Sequence, residues 1–194
     1  MQAVTLSPHR SPQPLRLNLG CGSDLLDGWQ NLDKYKIGDA TVMDLESLPW
    51  SFESDSVDEV LMKHVLEHLR DVVGILREVY RVCRAGARVH IIVPHPRHDD
   101  FISDPTHVSP ITLNLLSLFS KRECIRWREM GASNTPLALL HDVDFEIVEH
   151  AYNVDEMWQQ IQREKRLSDD DMHAAIRTHN NVVKEIDVTM VVRK

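Results

Sequence analysis

The sequence has few cysteines and no long apolar run. Its 194 residues include only Cys21, Cys83 and Cys124. They are far apart, odd in number and form no CxxC pair, which argues against a disulfide framework and against a thiolate zinc site. Nowhere do about 18 apolar residues follow one another, and the N-terminus has no continuous apolar segment. We therefore expect a cytoplasmic protein without a signal peptide or a membrane span.

Basic residues are also in deficit. Lys and Arg number 22 against 30 Asp and Glu, which gives a formal net charge of -8. A negative protein repels phosphate backbones, so the charge argues against nucleic acid as a partner. The length suits one domain with insertions better than two domains. We expect a flexible, Pro- and Ser-rich arm at residues 1–14 and a single domain at 15–194, and we leave a homodimer open.

A glycine-rich turn follows the first predicted strand. The apolar residues of 15–19 alternate and run into Gly20-Cys21-Gly22, and Asp33 closes a second extended segment 11 residues after Gly22. Glycine lets the backbone turn sharply and approach a ligand without a Cβ in the way. A carboxylate at the tip of the next strand can accept hydrogen bonds from both hydroxyls of a ribose. The stretch predicts a nucleotide-binding turn, although two glycines also occur in turns of purely steric origin.

Short strands and helices alternate through the rest of the chain. Strands are predicted at 40–44, 57–64, 87–94, 143–152 and 185–194, and helices at 69–83, 111–119, 154–166 and 169–178. Ala85-Gly86 is expected to end the first of these helices, and Ser168 to cap the last. The alternation predicts an α/β fold, a parallel sheet with helices on both faces that binds ligands at the carboxyl ends of its strands.

Two segments interrupt this alternation. Residues 95–136 leave the carboxyl end of a strand and are rich in histidine and proline. An excursion of this length usually forms the wall or the lid of a pocket, so we expect a substrate-side insertion there. A second, helical insertion is expected at about 153–180.

Four motifs occur in the order that one protein family shows. LNLGCG, NLD, VMDLESLPWSFESDSVDEVLMKHVLEHL and REVYRVCRAGARVHIIVP resemble those of the class I S-adenosylmethionine (SAM) dependent methyltransferases, closely the small domains of the ubiquinone-type group. The resemblance covers about residues 15–94. It implies a Rossmann-like fold, a mostly parallel twisted sheet with an antiparallel C-terminal strand, and SAM as cofactor. The short segment between Gly22 and Asp33 leaves room for about two helical turns.

The resemblance also implies which residues hold SAM. Gly20, Cys21 and Gly22 would pass under its methionine and ribose portions, and Asp33 would accept from the ribose hydroxyls. Asn18 stands where many members carry an acidic residue, so the contact to the methionine amino group is a departure from the family pattern.

The remaining cofactor contacts come from later motifs. Asp44 and the backbone at Leu45 would meet the adenine. Lys63 and His64, at the end of the fourth strand, would line the methionyl end near the transferred methyl. Ala85-Gly86 replaces a commoner Gly-Gly.

Methyl transfer to a hydroxyl profits from a base, which directs attention to the histidines after the fifth strand. Imidazole titrates near neutral pH, and we name His107 as the first candidate base and His98 as the second. The alternative is that Asp104 and its neighbours form a structural turn before His107. A divalent ion held by HPRHDD is a third reading, but adjacent residues seldom converge on one ion without a distant ligand, and we assign no metal site.

Two functions follow. The first is an enzyme that transfers the methyl group of SAM to an O or N nucleophile of a small molecule or glycan. The second is a SAM-binding module without turnover, serving as a sensor or as an inactive partner subunit. Acidic charge, small size and the lack of a nucleic-acid module favour a small acceptor over RNA or DNA.

Overall fold

The computed structural model describes residues 13–194, so nearly all of the arm predicted at 1–14 lies outside the described residues. The strands are β1 (Arg16–Leu19), β2 (Gln30–Asp33), β3 (Thr41–Val42), β4 (Val57–Lys63), β5 (Cys83–Pro94), β6 (Phe145–Val154) and β7 (Val183–Val192). A 3₁₀ turn (Leu66–His68) precedes the helices α1 (Val72–Val82), α2 (Asp99–Ile102), α3 (Leu113–Ser117), α4 (Lys121–Glu129), α5 (Leu137–His141), α6 (Glu156–Lys165) and α7 (Asp169–Thr178).

The strands form one sheet in the order β3-β2-β1-β4-β5-β7-β6. Strands β1 to β5 pair in parallel, and β7 is antiparallel to both of its neighbours. The predicted mixed sheet with an antiparallel C-terminal strand is confirmed. The chain leaves β1 toward β2 on one side and returns as β4 on the other. Such a reversal opens a crevice at the carboxyl ends of the strands.

The core lies on the sheet face that packs against α1. On β5, Val89, Ile91 and Val93 are fully buried, and from α1 the fully buried Ile75 and Val79 join the same cluster. Each such side chain contributes about 1.5–3 kcal/mol by leaving water. The central strands are therefore anchored along their length, which fixes the loops at their carboxyl ends.

A second, smaller cluster belongs to α6 and α7. It is built on Met172, Ala175 and Val182 and is separate from the main core. The guanidinium of Arg97, just beyond β5, donates to backbone carbonyls near the end of α7. The predicted cap of α7 is confirmed, since Ser168 forms a complete capping box. The helical pair therefore lies beside the carboxyl end of β5.

The expected helix between Gly22 and Asp33 is wrong: residues 22–29 form turns and irregular backbone, and β2 follows at once. The side chain of Asn31 explains the difference. Its Oδ1 accepts from the backbone N–H of Leu26 at 2.9 Å, and its Nδ2 donates to the Leu26 carbonyl at 3.1 Å. A side chain that satisfies these backbone groups replaces the hydrogen bonds that a helix would have made.

The expected end of α1 is also wrong. Ala85-Gly86 lies inside β5, because Cys83 already pairs with Val57 of β4. The helix starts later than expected too, where Asp71 accepts from the N–H of Gly74 as its cap. The helix expected at 111–119 shortens to α3, and the four- and five-residue helices α2 and α5 were not expected. No helix within residues 13–194 has both the length and the apolar character needed to span a bilayer.

Candidate functional site

The two glycines after β1 have different surroundings. Both adopt a left-handed backbone, with φ of +64° at Gly20 and +50° at Gly22. A Cβ on Gly20 would lie 2.3 Å from Cγ2 of Val65. A Cβ on Gly22 would meet no described atom within 4 Å. Packing therefore requires glycine at position 20, whereas glycine at position 22 leaves the space above the turn open.

Asp33 is fixed by backbone donors at the tip of β2. Its Oδ2 accepts from the N–H of Gly22 at 2.8 Å, and its Oδ1 accepts from the N–H of Tyr35 at 2.9 Å. A carboxylate offers about four acceptor positions, so each oxygen keeps capacity for a ligand. The carboxylate is thus held in place and can still accept from two hydroxyls.

Two adjoining cavities of about 480 and 470 Å³ lie at the carboxyl ends of β1, β2 and β4, and we call them together the strand-end cleft. Gly20, Gly22 and His64 belong to the walls of both. Volumes of this size are typical of small-molecule sites. The structure brings all the residues predicted to hold the cofactor to these walls: Asn18, Gly20, Cys21, Gly22, Asp33, Asp44, Leu45, Lys63 and His64.

Asn18 is buried at the floor of the cleft. Its Nδ2 donates to the carbonyl of Asp24 at 2.8 Å and to Oδ1 of Asn31 at 2.9 Å, which uses both of its N–H groups. Its oxygen is left as an acceptor, the property that it shares with a carboxylate. Beside it, Nζ of Lys63 pairs with Oδ2 of Asp24 at 2.9 Å, and this contact raises the pKa of Lys63.

The loop after β3 is held by two contacts. Nζ of Lys34 lies 2.9 Å from Oδ2 of Asp44, and the neighbouring ammonium lowers the pKa of that carboxyl. The carbonyl of the buried Leu45 accepts from Nε1 of Trp50 at 3.0 Å. The loop therefore presents a fixed wall to the cleft.

His64 sits between two carboxylates. It adopts a left-handed backbone with φ of +53° directly after β4. Its Nε2 lies 2.9 Å from Oε1 of Glu185, and its Nδ1 lies 3.6 Å from Oε1 of Glu67. The Glu67 carboxylate, followed by Glu185, raises the pKa of His64 against the effect of burial. The charged form of this ring is favoured where the two cavities meet.

The first candidate base, His107, lies behind another histidine. Its ring is largely buried, stacks on Phe101 and contacts the ring of His68, with 4.6 Å between the two centroids. His68 and Thr106 line the cleft, and His107 does not. Sequence reasoning did not include His68 among the site residues. Its spacing of four residues from the pocket-lining His64 was the available signal.

The second candidate, His98, is engaged by the fold. Its Nδ1 accepts from the N–H of Asp100 at 3.1 Å and so caps α2. Its Nε2 lies 3.4 Å from Oδ2 of Asp155, the cap of α6. The residue is only 6% exposed. His98 therefore joins two helix starts and lies outside the walls of the cleft.

Residues 21–91 match the family model of a methyltransferase domain. Over these 71 of its 194 residues the chain is similar to that methyltransferase-domain family. The resemblance drawn from the four motifs is confirmed at the level of the family, whose cofactor is SAM. The ubiquinone-type subgroup stays a prediction.

Solved structures share the fold of this chain. A SAM-dependent methyltransferase from Archaeoglobus fulgidus is 16% identical with a TM-score of 0.58, over 93% of this chain and 86% of that one. The methyltransferase in complex with the Trm112 activator of Haloferax volcanii is 15% identical with a TM-score of 0.52, over 94% and 84%. The [4+2]-cyclase SpnF is 13% identical with a TM-score of 0.55, over 93% and 76%. A comparison with curated protein sequences gave no match.

Proposed function

We propose that this protein binds SAM in the strand-end cleft and transfers its methyl group to an O or N nucleophile of a small molecule or glycan. One observation carries the proposal. The open space above Gly22 lies next to a carboxylate, Asp33, that is fixed by the same turn and retains acceptor capacity. A nucleoside needs both features, a close backbone approach and an acceptor for its ribose.

Each part of SAM would meet a group of suitable chemistry. Asp33 would hold the ribose hydroxyls, and Asp44 with the backbone at Leu45 would hold the adenine. The oxygen of Asn18 would accept from the methionine ammonium, with Lys63 near the carboxylate end. When bound, SAM supplies a methyl group that is already activated for transfer. The fixed walls would keep acceptor and methyl aligned, an effect worth about 7–11 kcal/mol of barrier lowering.

The acceptor would enter beside the histidines. His68 reaches the cleft and His107 lies behind it, so we assign the pair to the proton of the acceptor. A base of this kind is typically worth about 10² to 10⁴ in rate. Because both ring nitrogens of His98 are occupied by structural contacts, His98 has no role in this proposal.

Binding of S-adenosylhomocysteine, the demethylated product, tests the proposal first. Calorimetry should detect binding to the wild type, and thermal stability should rise with ligand concentration because the ligand binds the folded state. Asp33→Ala should abolish the shift. Asp39→Ala, which removes an exposed carboxylate from the next loop, is the matched control and should leave it unchanged. No shift of the wild type at millimolar ligand would refute the proposal.

A module that binds SAM without turnover is the second candidate. A [4+2]-cyclase shares the fold, so the fold by itself does not require methyl transfer. An acceptor screen with methyl-labelled SAM separates the two functions. Label in a product supports the enzyme. Tight binding with no labelled product, for alcohols, amines and sugars alike, supports the module.

A further inference from the structure

Three metal-binding side chains converge beside the cleft. One ring nitrogen each from His68 and His107 and one carboxylate oxygen of Glu67 lie within 4.8 Å of one another. Glu67 and His68 come from the 3₁₀ turn after β4, whereas His107 comes from the long segment after β5. This cluster therefore combines ligands that are distant in sequence. The ion considered in the sequence analysis at 95–100 had no such distant ligand.

Glu67 is a buried carboxylate without a hydrogen-bond donor. Its side chain is 1% exposed, and neither of its oxygens accepts a hydrogen bond from any residue within 13–194. Nδ1 of His64 is the nearest cation, at 3.6 Å, outside hydrogen-bond distance. Burying an ionised carboxylate without a hydrogen-bond donor costs several kcal/mol. A cation bound directly to Glu67 would offset that cost.

The hydrogen bonds of both rings engage Nδ1 and leave the lone pair on Nε2. Nδ1 of His107 lies 3.0 Å from the carbonyl of Phe101 and must carry the proton, because a carbonyl only accepts. Nδ1 of His68 lies 2.9 Å from Oγ1 of Thr106. That hydroxyl gives its own proton to Asp104 at 2.6 Å, so it accepts from His68. In each ring Nε2 therefore keeps its lone pair. Histidines that bind metals are oriented in this way by a second shell of acceptors.

We propose that Glu67, His68 and His107 form a binding site for a first-row divalent cation of the Zn²⁺ type. Two imidazoles and one carboxylate are a ligand set that such ions use, with a further position open to water or substrate. Two ligands at about 2.0–2.2 Å from one ion in tetrahedral geometry lie about 3.3–3.6 Å apart, so the three side chains would close in by up to about 1.5 Å around the ion. The charge of the ion would neutralise the buried Glu67.

The open position would face the acceptor side of the cleft, since His68 and Thr106 belong to its wall. An ion there would bind the oxygen of an acceptor and lower its pKa, and with Nε2 of both rings on the ion the two histidines would act as its ligands instead of as the base. This catalytic use rests on the proposed methyl transfer, but the ion site itself does not. Metal binding and nucleotide binding are therefore measured separately.

The experiment titrates protein prepared without a polyhistidine tag and stripped with chelator. Zn²⁺ is followed by calorimetry, and Co²⁺ by the visible absorption that it gains at low coordination number. The wild type should bind one ion per chain. Glu67→Gln and His107→Gln should each abolish that binding. Thr106→Val, which removes the hydroxyl that orients His68 but no proposed ligand, should weaken it by about 10- to 100-fold.

His173→Gln removes an exposed histidine of α7 and is the matched control, with binding equal to the wild type. S-adenosylhomocysteine binding by the metal-free variants shows that they fold and tests the cofactor site on its own. The proposal is overturned if the wild type binds Zn²⁺ no better than His107→Gln, or if Glu67→Gln binds it undiminished. In the first case Glu67 serves only as the counter-ion of His64.

Discussion

The backbone N–H of Gly22 donates a hydrogen bond of 2.8 Å to Oδ2 of Asp33. This bond joins the two ends of the glycine motif and closes the turn between β1 and β2. The carboxylate expected to hold a ribose is therefore placed by the backbone expected to pass beneath it. A substitution in this turn should therefore weaken nucleotide binding even where the substituted residue does not itself contact the ribose.

The two glycines of the turn should respond differently to alanine. Gly22→Ala should fold, at a cost of about 1–2 kcal/mol for its left-handed backbone. Its Cβ would enter the cleft, so S-adenosylhomocysteine should bind at least about tenfold more weakly, or about 1.4 kcal/mol. Gly20→Ala adds a clash with Val65 and should lose a further 1–3 kcal/mol or so of stability. Urea unfolding and calorimetry measure the two effects.

Gly86→Ala is the control for backbone strain. Gly86 has φ of +80°, and a Cβ there would meet no described atom within 4 Å. Its stability should fall about as much as that of Gly22→Ala, with nucleotide affinity unchanged. Equal affinity in the Gly22 and Gly86 variants would show that the space above Gly22 is not used.

Replacing Asn18 by the acidic residue that is commoner in the family should destabilise this protein. Asn18→Asp removes two N–H donors and leaves the acceptors of Asp24 and Asn31 facing a carboxylate. Each buried group left without its partner costs about 1–3 kcal/mol. Asn31 cannot turn over to help, because its amide already binds both backbone groups of Leu26. Urea unfolding at pH 7 should show this loss of stability. Unchanged stability would contradict the assignment of the two hydrogen-bond donors to Nδ2 of Asn18.

Acid should weaken the fold through Glu78. The carboxylate is buried beneath Arg81 and also accepts from the N–H of Trp50 at 2.6 Å. Arg81 holds the pKa of Glu78 below its usual value of 4.5. Its stabilisation is thus complete above pH 4.5 and is lost as the pH falls through the lower folded-state value. Glu78→Gln should cost roughly 2 kcal/mol at pH 7 and progressively less toward pH 3, measured by urea unfolding.

The fold was predictable where periodicity and motif order agreed. The second half of β5, with its alternating buried residues, and the amphipathic α1 both leave a clear apolar pattern, and Ser168 was predicted as a cap from its residue type. The stretch between Gly22 and Asp33 was not predictable in the same way. There, the side chain of Asn31 takes over backbone hydrogen bonds, and that preference leaves no periodic trace.

The candidate site divides along similar lines. Motif residues such as Asn18 and Asp44 were assigned to the cofactor site from sequence, because they stand at the positions of the family's motifs. The contact of His107 with His68 joins segments 39 residues apart, and it depends on how the loop after β5 folds back over the 3₁₀ turn. The backbone carbonyl of Glu67 accepts from two N–H groups of that loop, those of Val108 and Ser109. No local pattern encodes such pairing.

Substitution of the two histidines first named as candidate bases should have different effects, on stability at His98 and on the rate of methyl transfer at His107. His98→Ala removes the cap of α2 and the link to Asp155. It should therefore cost about 1–3 kcal/mol of stability. Below its melting temperature, its methyl transfer should stay within a few-fold of the wild type. His107→Gln should keep most of its stability, because an amide N–H can still donate to the carbonyl of Phe101, and lose about 10² to 10⁴ in rate.

Rates and stabilities must be measured on the same samples, since an unfolded variant is inactive whatever role the replaced residue has in the reaction. Single-turnover methyl transfer at saturating SAM isolates the chemical step from binding. A large rate loss in folded His98→Ala would place that histidine in the reaction despite its occupied nitrogens. Full activity of His107→Gln would remove His107 from the chemistry while leaving the proposed SAM site, at Gly22 and Asp33, intact.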